Sequence, residues 1–204
     1  PLYLEVTVDD PGGAEVLTPR QPITATAIIA LILLAGGNRA QSLGEIQSLA
    51  RAGAALIRRR RLEIVGRSNF RDADAVLATL AELQETGIVT YLDEGTERLY
   101  AIGAEQHLNA AYYRNTAIHY FVLDAFVEIA LLDAAAAPDS PGEDFFERAD
   151  DLRELFKFEF YLPRRAHYRS EIEARVRDRF EDWQDVIRRD ERSVRAELSA
   201  VQPL

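Results

Sequence analysis

His119 and Asp124 stand five residues apart in the run His119-Tyr120-Phe121-Val122-Leu123-Asp124. An imidazole backed by a carboxylate can act as a general base. The ring takes a proton from an acceptor hydroxyl, and the acid orients the ring. On a continuous helix, however, residues five apart diverge by about 140°. The pair is therefore read as a chance match, and no catalytic residue is assigned. Just before it lies a denser polar group, Tyr112, Tyr113, Arg114, Asn115 and His119, in an otherwise apolar helical region. Tyr112, Asn115 and His119 are three and four apart, so they are expected to share a face. Such a stripe needs hydrogen-bond partners. Either it forms a buried structural clamp between helices, or it is an edge facing a substrate or a catalytic domain.

A third cluster is Arg58-Arg59-Arg60-Arg61, at the end of a helical pattern. Cations there complement the helix dipole. The alternative is contact with anionic lipid head groups or the phosphates of coenzyme A. His107 and His167 are isolated, and no spacing of His, Asp and Glu suggests a metal site, so no metal is expected. The absence of cysteine removes disulfides, thiolate metal sites and cysteine nucleophiles.

The 204 residues carry a net charge of −10, which works against duplex nucleic acid as a partner. Lys157 is the only lysine. The chain opens at Pro1 and contains no methionine, which points to a fragment or a processed chain. The longest apolar run, Ile23 to Ala35, is shorter than the ~18–20 residues needed to cross a bilayer.

The elements that must position these groups are mostly helices. Leu2 to Val8 alternates as a short strand, and Asp9-Asp10-Pro11-Gly12-Gly13 ends it. Thr18-Pro19 reads as a helix start. Ile23 to Leu34, apolar all round, predicts a buried helix that Gly36-Gly37-Asn38 stops. Ser42 and Glu45 have capping-box spacing for a helix running to about Arg61. Asp72 caps a third helix, with Val76, Leu77, Leu80 and Leu83 on one face and Gly87 at its end. Strands Ile88–Leu92 and Arg98–Ile102 flank a short loop. A helix, a glycine stop and a hairpin make the second half of a winged-helix-like unit. Helices follow over Gln106–His119 and Phe121–Ala137, as two or as one kinked helix. A further helix is expected over Glu143–Tyr161. One long helix is then expected over about Arg164–Ala200, its stripe of Ile172, Val176, Phe180, Trp183, Ile187, Val194 and Leu198 lying across a surface. The fold class is mainly α: a helical domain with a small winged-helix-like helix plus β-hairpin element and a short N-terminal strand. The expected division is 1–16 (unplaced strand and turn), 17–103 (helices with the hairpin) and 104–204 (helical region).

The string Tyr112-Tyr113-Arg114-Asn115, followed by a small residue and Ile118-His119, resembles a signature of bacterial membrane-associated glycerol-3-phosphate acyltransferases of the actinobacterial type, C-terminal to their catalytic domain. Tyr100 to Leu108 is similar to the strand and linker leading into it. Leu17-Thr18-Pro19 with Ile23 to Ala27 resembles the helix just beyond the catalytic domain, and Glu154 to Phe160 an acidic-aromatic helix further on. The resemblance covers about Leu17 to Tyr168. Thr116 stands where many members have a second asparagine, and Asp124 where no acid is expected. The family's own H-x-x-x-x-D sits upstream, with companion blocks of Gly, Ser and Arg that do not follow His119 here.

The resemblance implies transfer of an acyl group from coenzyme A or acyl carrier protein to the first hydroxyl of glycerol-3-phosphate, the first step of phospholipid synthesis. It implies no cofactor. It places this segment as a non-catalytic support for an upstream acyltransferase domain, which would hold acyl-CoA and glycerol-3-phosphate. The location implied is peripheral, on the cytoplasmic side of the plasma membrane; the helix at Ile23 or the long last helix is expected to dock the segment on the catalytic domain or on the membrane. The rival reading is a winged-helix-like regulatory or protein-interaction module.

Overall fold

In a computed structural model of the chain, residues 23–37, 39–62, 64–66, 69–94, 97–136 and 141–201 are described. The strand expected over Leu2–Val8 and the helix start expected at Thr18-Pro19 lie outside them.

The first apolar run forms helix α1 (Ala25–Ala35), entered from strand β1 (Ile23–Thr24). Thr24 caps it, its hydroxyl accepting from the Ala27 amide at 3.1 Å. Ala25, Ala27, Ile28, Ile29, Ala30, Ile32 and Leu33 are all buried, as a helix without a polar face requires. The exit from α1 depends on Gly36. Gln41, itself buried, donates from Nε2 to the Ile32 carbonyl, and a Cβ on Gly36 would lie 2.2 Å from that nitrogen.

Strand β2 (Gln41–Ser42) leads into α2 (Leu43–Arg59). The capping box is complete: the Glu45 amide donates to Ser42 Oγ at 3.2 Å, and the Ser42 amide to Glu45 Oε2 at 2.8 Å. Strand β3 (Ile64–Val65) pairs in parallel with β1. Asp72 caps α3 (Ala73–Glu85), accepting from the Asp74 amide at 3.0 Å. Gly87, at φ +76°, turns the chain so that the Ile88 amide reaches back to the Leu83 carbonyl. On α3, Val76, Leu80 and Leu83 are buried, whereas Leu77 is exposed.

The hairpin consists of β4 (Val89–Glu94) and β5 (Glu97–Ile102). The sheet order β2-β5-β4, antiparallel throughout, completes the winged-helix connectivity: helix, strand, two helices, hairpin. The exposed acids Asp74, Glu82, Glu85, Asp93 and Glu97 stand on α3 and the hairpin, with Arg98 as the cation there. Arg98 pairs with Asp93 at 2.8 Å and covers the Tyr91 ring. This surface repels a phosphate backbone.

Helix α4 (His107–Asn115) packs on α1. It ends earlier than the sequence pattern indicates. Thr116 turns its hydroxyl onto the Tyr113 carbonyl at 2.7 Å, and a 3₁₀ turn (Ile118–Tyr120) follows. The second group of helices is built around α5 (Val122–Ala136), against which α6 (Pro141–Phe156), α7 (Arg165–Arg179) and α9 (Glu191–Val201) pack, with the short α8 (Trp183–Val186) between the last two. One apolar core runs from Ile23 to Phe121 and a second from Val122 to Val194, so the packing divides beyond the end of the hairpin.

The single long helix expected over Arg164–Ala200 is corrected to three. Phe180 leaves the helical region at φ −127°, ψ 121°, and Asp190 starts α9 by accepting from the Ser193 amide at 3.1 Å. An unbroken helix there would be about 55 Å long, far past the 15 residues of α5. Breaking twice folds Ile172, Val176, Phe180, Ile187 and Val194 back onto one core, where all are buried. The stripe therefore covers this domain's own centre rather than a surface. α6 likewise ends at Phe156, short of Tyr161.

Candidate functional site

Residues on α4 sort by helical angle. Ala110 is buried and Tyr113 packs against the first core. Leu108, Tyr112 and Asn115, spaced i, i+4, i+7, face solvent. Leu108 is 86% exposed and Tyr112 56%. The Tyr112 ring meets Tyr113 edge to face, centroids 5.9 Å apart. Arg114 donates from Nε and Nη2 to Asn115 Oδ1 at 3.1 and 2.9 Å. That fork engages two of its five N–H groups and holds the guanidinium at the surface. Tyr113 is thus the member that anchors the helix, Tyr112 and Asn115 stand on its outer side, and Arg114, four residues after buried Ala110, lies half-buried at the flank between the two.

His119 does not share that face, because α4 has ended before it. Its ring stacks on Tyr120 at 4.0 Å, and its Nε2 is buried without a hydrogen-bond partner among the described residues. Burial holds the ring's pKa below the usual histidine value, and a bond to the Asn115 backbone acts the other way. The neutral ring is favoured in the fold, whereas an unfolded His takes its proton near pH 6.5. The unfolded chain therefore binds more protons below that point. Stability should fall as pH drops through the mid-6 range and be unaffected by this group above it. Urea midpoints at about pH 7.5 and about pH 5.5 should diverge more in the native chain than in His119→Gln; equal pH slopes would show that the ring is solvated.

Asp124 is turned away from this chemistry. Its carboxylate, 7% exposed, contacts the guanidinium of Arg60, which also donates to the Tyr120 carbonyl. Burial pushes Arg60 down to about 9, with Arg175 adding to the effect and Asp178 opposing it, so the side chain stays cationic at neutral pH. The same residue breaks up the four-arginine patch. Arg58, Arg59 and Arg61 remain exposed, Arg60 is withdrawn between the cores, and Arg61 closes α2 in the left-handed region at φ 57°. Nearby, Arg179 pairs with Glu128 on α5. Nothing in the local sequence announces the Arg60–Asp124 contact across 64 positions. The one trace was an acid inside an apolar helix start. Among the described residues no three acids or histidines converge on a metal site, and no helix is long and apolar enough to cross a membrane.

The chain is a helical domain with winged-helix connectivity in its first half, a Tyr-Tyr-Arg-Asn helix packed on it and a bundle around α5. The family model described as "Glycerol-3-phosphate acyltransferase C-terminal region" matches residues 20–203, and the chain belongs to that family. It is 37% identical over 159 residues to the protein of Mycobacterium bovis named "Putative acyltransferase plsB1", a match covering 76% of this chain and 25% of the relative. Same-named proteins of Mycobacterium tuberculosis match equally. The chain spans about a quarter of the length of these curated relatives.

Proposed function

We propose that this chain is the non-catalytic C-terminal region of an enzyme that transfers an acyl group from coenzyme A or acyl carrier protein to the first hydroxyl of glycerol-3-phosphate. The observation that carries the supporting role is the engagement of Asp124 by Arg60, which keeps that carboxylate from orienting His119 as a base for a hydroxyl. The outer side of α4 is the docking edge toward the catalytic part. Tyr112 on that side and half-buried Arg114 at its flank are residue types that dominate protein interfaces, and Leu108 beside Tyr112 adds apolar area. The enzyme works at the cytoplasmic face of the membrane, where its product belongs.

The test is acylation of labelled glycerol-3-phosphate. The 204-residue chain alone should give none. In the full-length enzyme Arg114→Ala should lower activity roughly thirtyfold, as the loss of a hot-spot residue worth about 2 kcal/mol does, and His119→Gln should leave it near native. Acylation by the isolated chain, abolished by His119→Ala, would overturn the reading.

The winged-helix connectivity favours a second reading, a module that binds another protein. The acids on α3 and the hairpin direct any such partner to be basic, and not a nucleic acid.

A further inference from the structure

Both elements that the sequence offered for membrane docking are consumed by the fold: α1 is buried, and the stripe of the last helices wraps α5. Among the described residues, three exposed apolar side chains stand close together in sequence elsewhere, where α6 gives way to α7. Leu155 is 69% exposed, Phe158 90% and Tyr161 58%. These three outward side chains are interleaved with two inward ones. Phe156 packs on Phe126 at 5.6 Å and on Phe160 at 5.7 Å, and both Phe156 and Phe160 join the second core. Arg153 holds the two ends of the turn together by donating to the Pro163 carbonyl at 3.4 Å from both Nε and Nη2. The turn is therefore anchored from within, with its apolar tips held in water.

Charge identifies the occupant. From Arg153 to Arg165, both included, stand four cations and two carboxylates, in a chain whose net charge is −10. Lys157 precedes Phe158, and exposed Arg164 and Arg165 follow Tyr161. One carboxylate, Glu154, is already paired with Lys157 at 2.7 Å and Arg153 at 2.9 Å. An apolar and aromatic tip flanked on both sides by cations fits the boundary of an anionic bilayer, where rings sit at headgroup depth and cations meet phosphates.

We propose that the α6–α7 turn docks on an anionic lipid surface, with Leu155, Phe158 and Tyr161 entering the interface and Lys157, Arg164 and Arg165 meeting the headgroups. The location in the cell rests on the proposed function; the surface itself does not. The test is co-sedimentation of the 204-residue chain with vesicles of phosphatidylcholine, with and without phosphatidylglycerol. Binding should require the anionic lipid and weaken with salt. Phe158→Glu and the pair Arg164→Glu with Arg165→Glu should each lower the vesicle partition constant about tenfold or more, with unchanged thermal melts. Absence of binding by the native chain, equal binding to neutral vesicles, or variants that bind like native would overturn it. So would self-association in the ultracentrifuge that Phe158→Glu abolishes, which would make a second copy the occupant. No substrate enters the assay, so failure of acylation with vesicle binding intact would reject the acyltransferase reading and leave this one standing.

Discussion

Arg60→Ala and Asp124→Ala should each lower the unfolding free energy by about 3–5 kcal/mol, the cost of leaving a buried charge without its partner. Both side chains are 7% exposed, so water cannot replace the lost contact. Two further features make the site demanding. Arg60 follows the last turn of α2, where a cation complements the carbonyl end of the helix, and Asp124 lies in the first turn of α5, where an acid complements the amide end. Removing either residue therefore strands its partner and forfeits a dipole contact. The Tyr120 carbonyl also loses the Arg60 guanidinium as a donor when Arg60 goes. The combination Arg60→Met with Asp124→Leu should recover most of the loss, because apolar residues of similar volume need no desolvated charge. Denaturant unfolding of the two single variants and the double variant forms a cycle that isolates the pairwise energy. Single losses below about 1 kcal/mol would mean that the pair is hydrated and exposed in solution. Because the pair joins the first core to the second, the single variants should also disturb the junction between α4 and α5.

Phe145→Ala should cost a further large amount, about 3–5 kcal/mol and roughly 10 °C in melting temperature for a chain of this size. Phe145 is fully buried in the second core and meets Phe146 edge to face at 5.0 Å. Phe158, thirteen positions along, offers the contrast. It is 90% exposed, and Phe158→Ala should change stability by no more than about 0.5 kcal/mol. Calorimetry on both variants separates a ring that holds the bundle from a ring held out for a partner. Comparable losses would show that Phe158 packs in solution and would remove the motive for a docking turn.

Local chemistry accounts for much of the first half of the fold. The Ser42–Glu45 box, the Asp72 cap and the Gly87 turn are decided by bonds between residues at most five positions apart, and the hairpin by pairs at most thirteen apart across one short loop, so they stand in the sequence and recur in the structure. The run from Ile23 to Leu34 has no polar face, and burial was the one stable outcome for it. Family membership was legible too, from Tyr112 to Asn115 and the segments around them. The second half obeyed longer-range terms. The periodicity of Ile172 to Leu198 suits one helix, but periodicity cannot report how far the partner extends. α5 is short, and burying the whole stripe outweighed the bonds lost at Phe180 and Asp190. Likewise the polar group on α4 was readable as residues but not as faces: packing decides that Tyr113 turns in, Tyr112 and Asn115 turn out and Arg114 sits at the flank, and the early end of the helix takes His119 out of the set. The Arg60–Asp124 contact belongs wholly to tertiary structure. A charge is drawn into a core only when folding delivers its counterion, and no pattern within one helix encodes a partner on another.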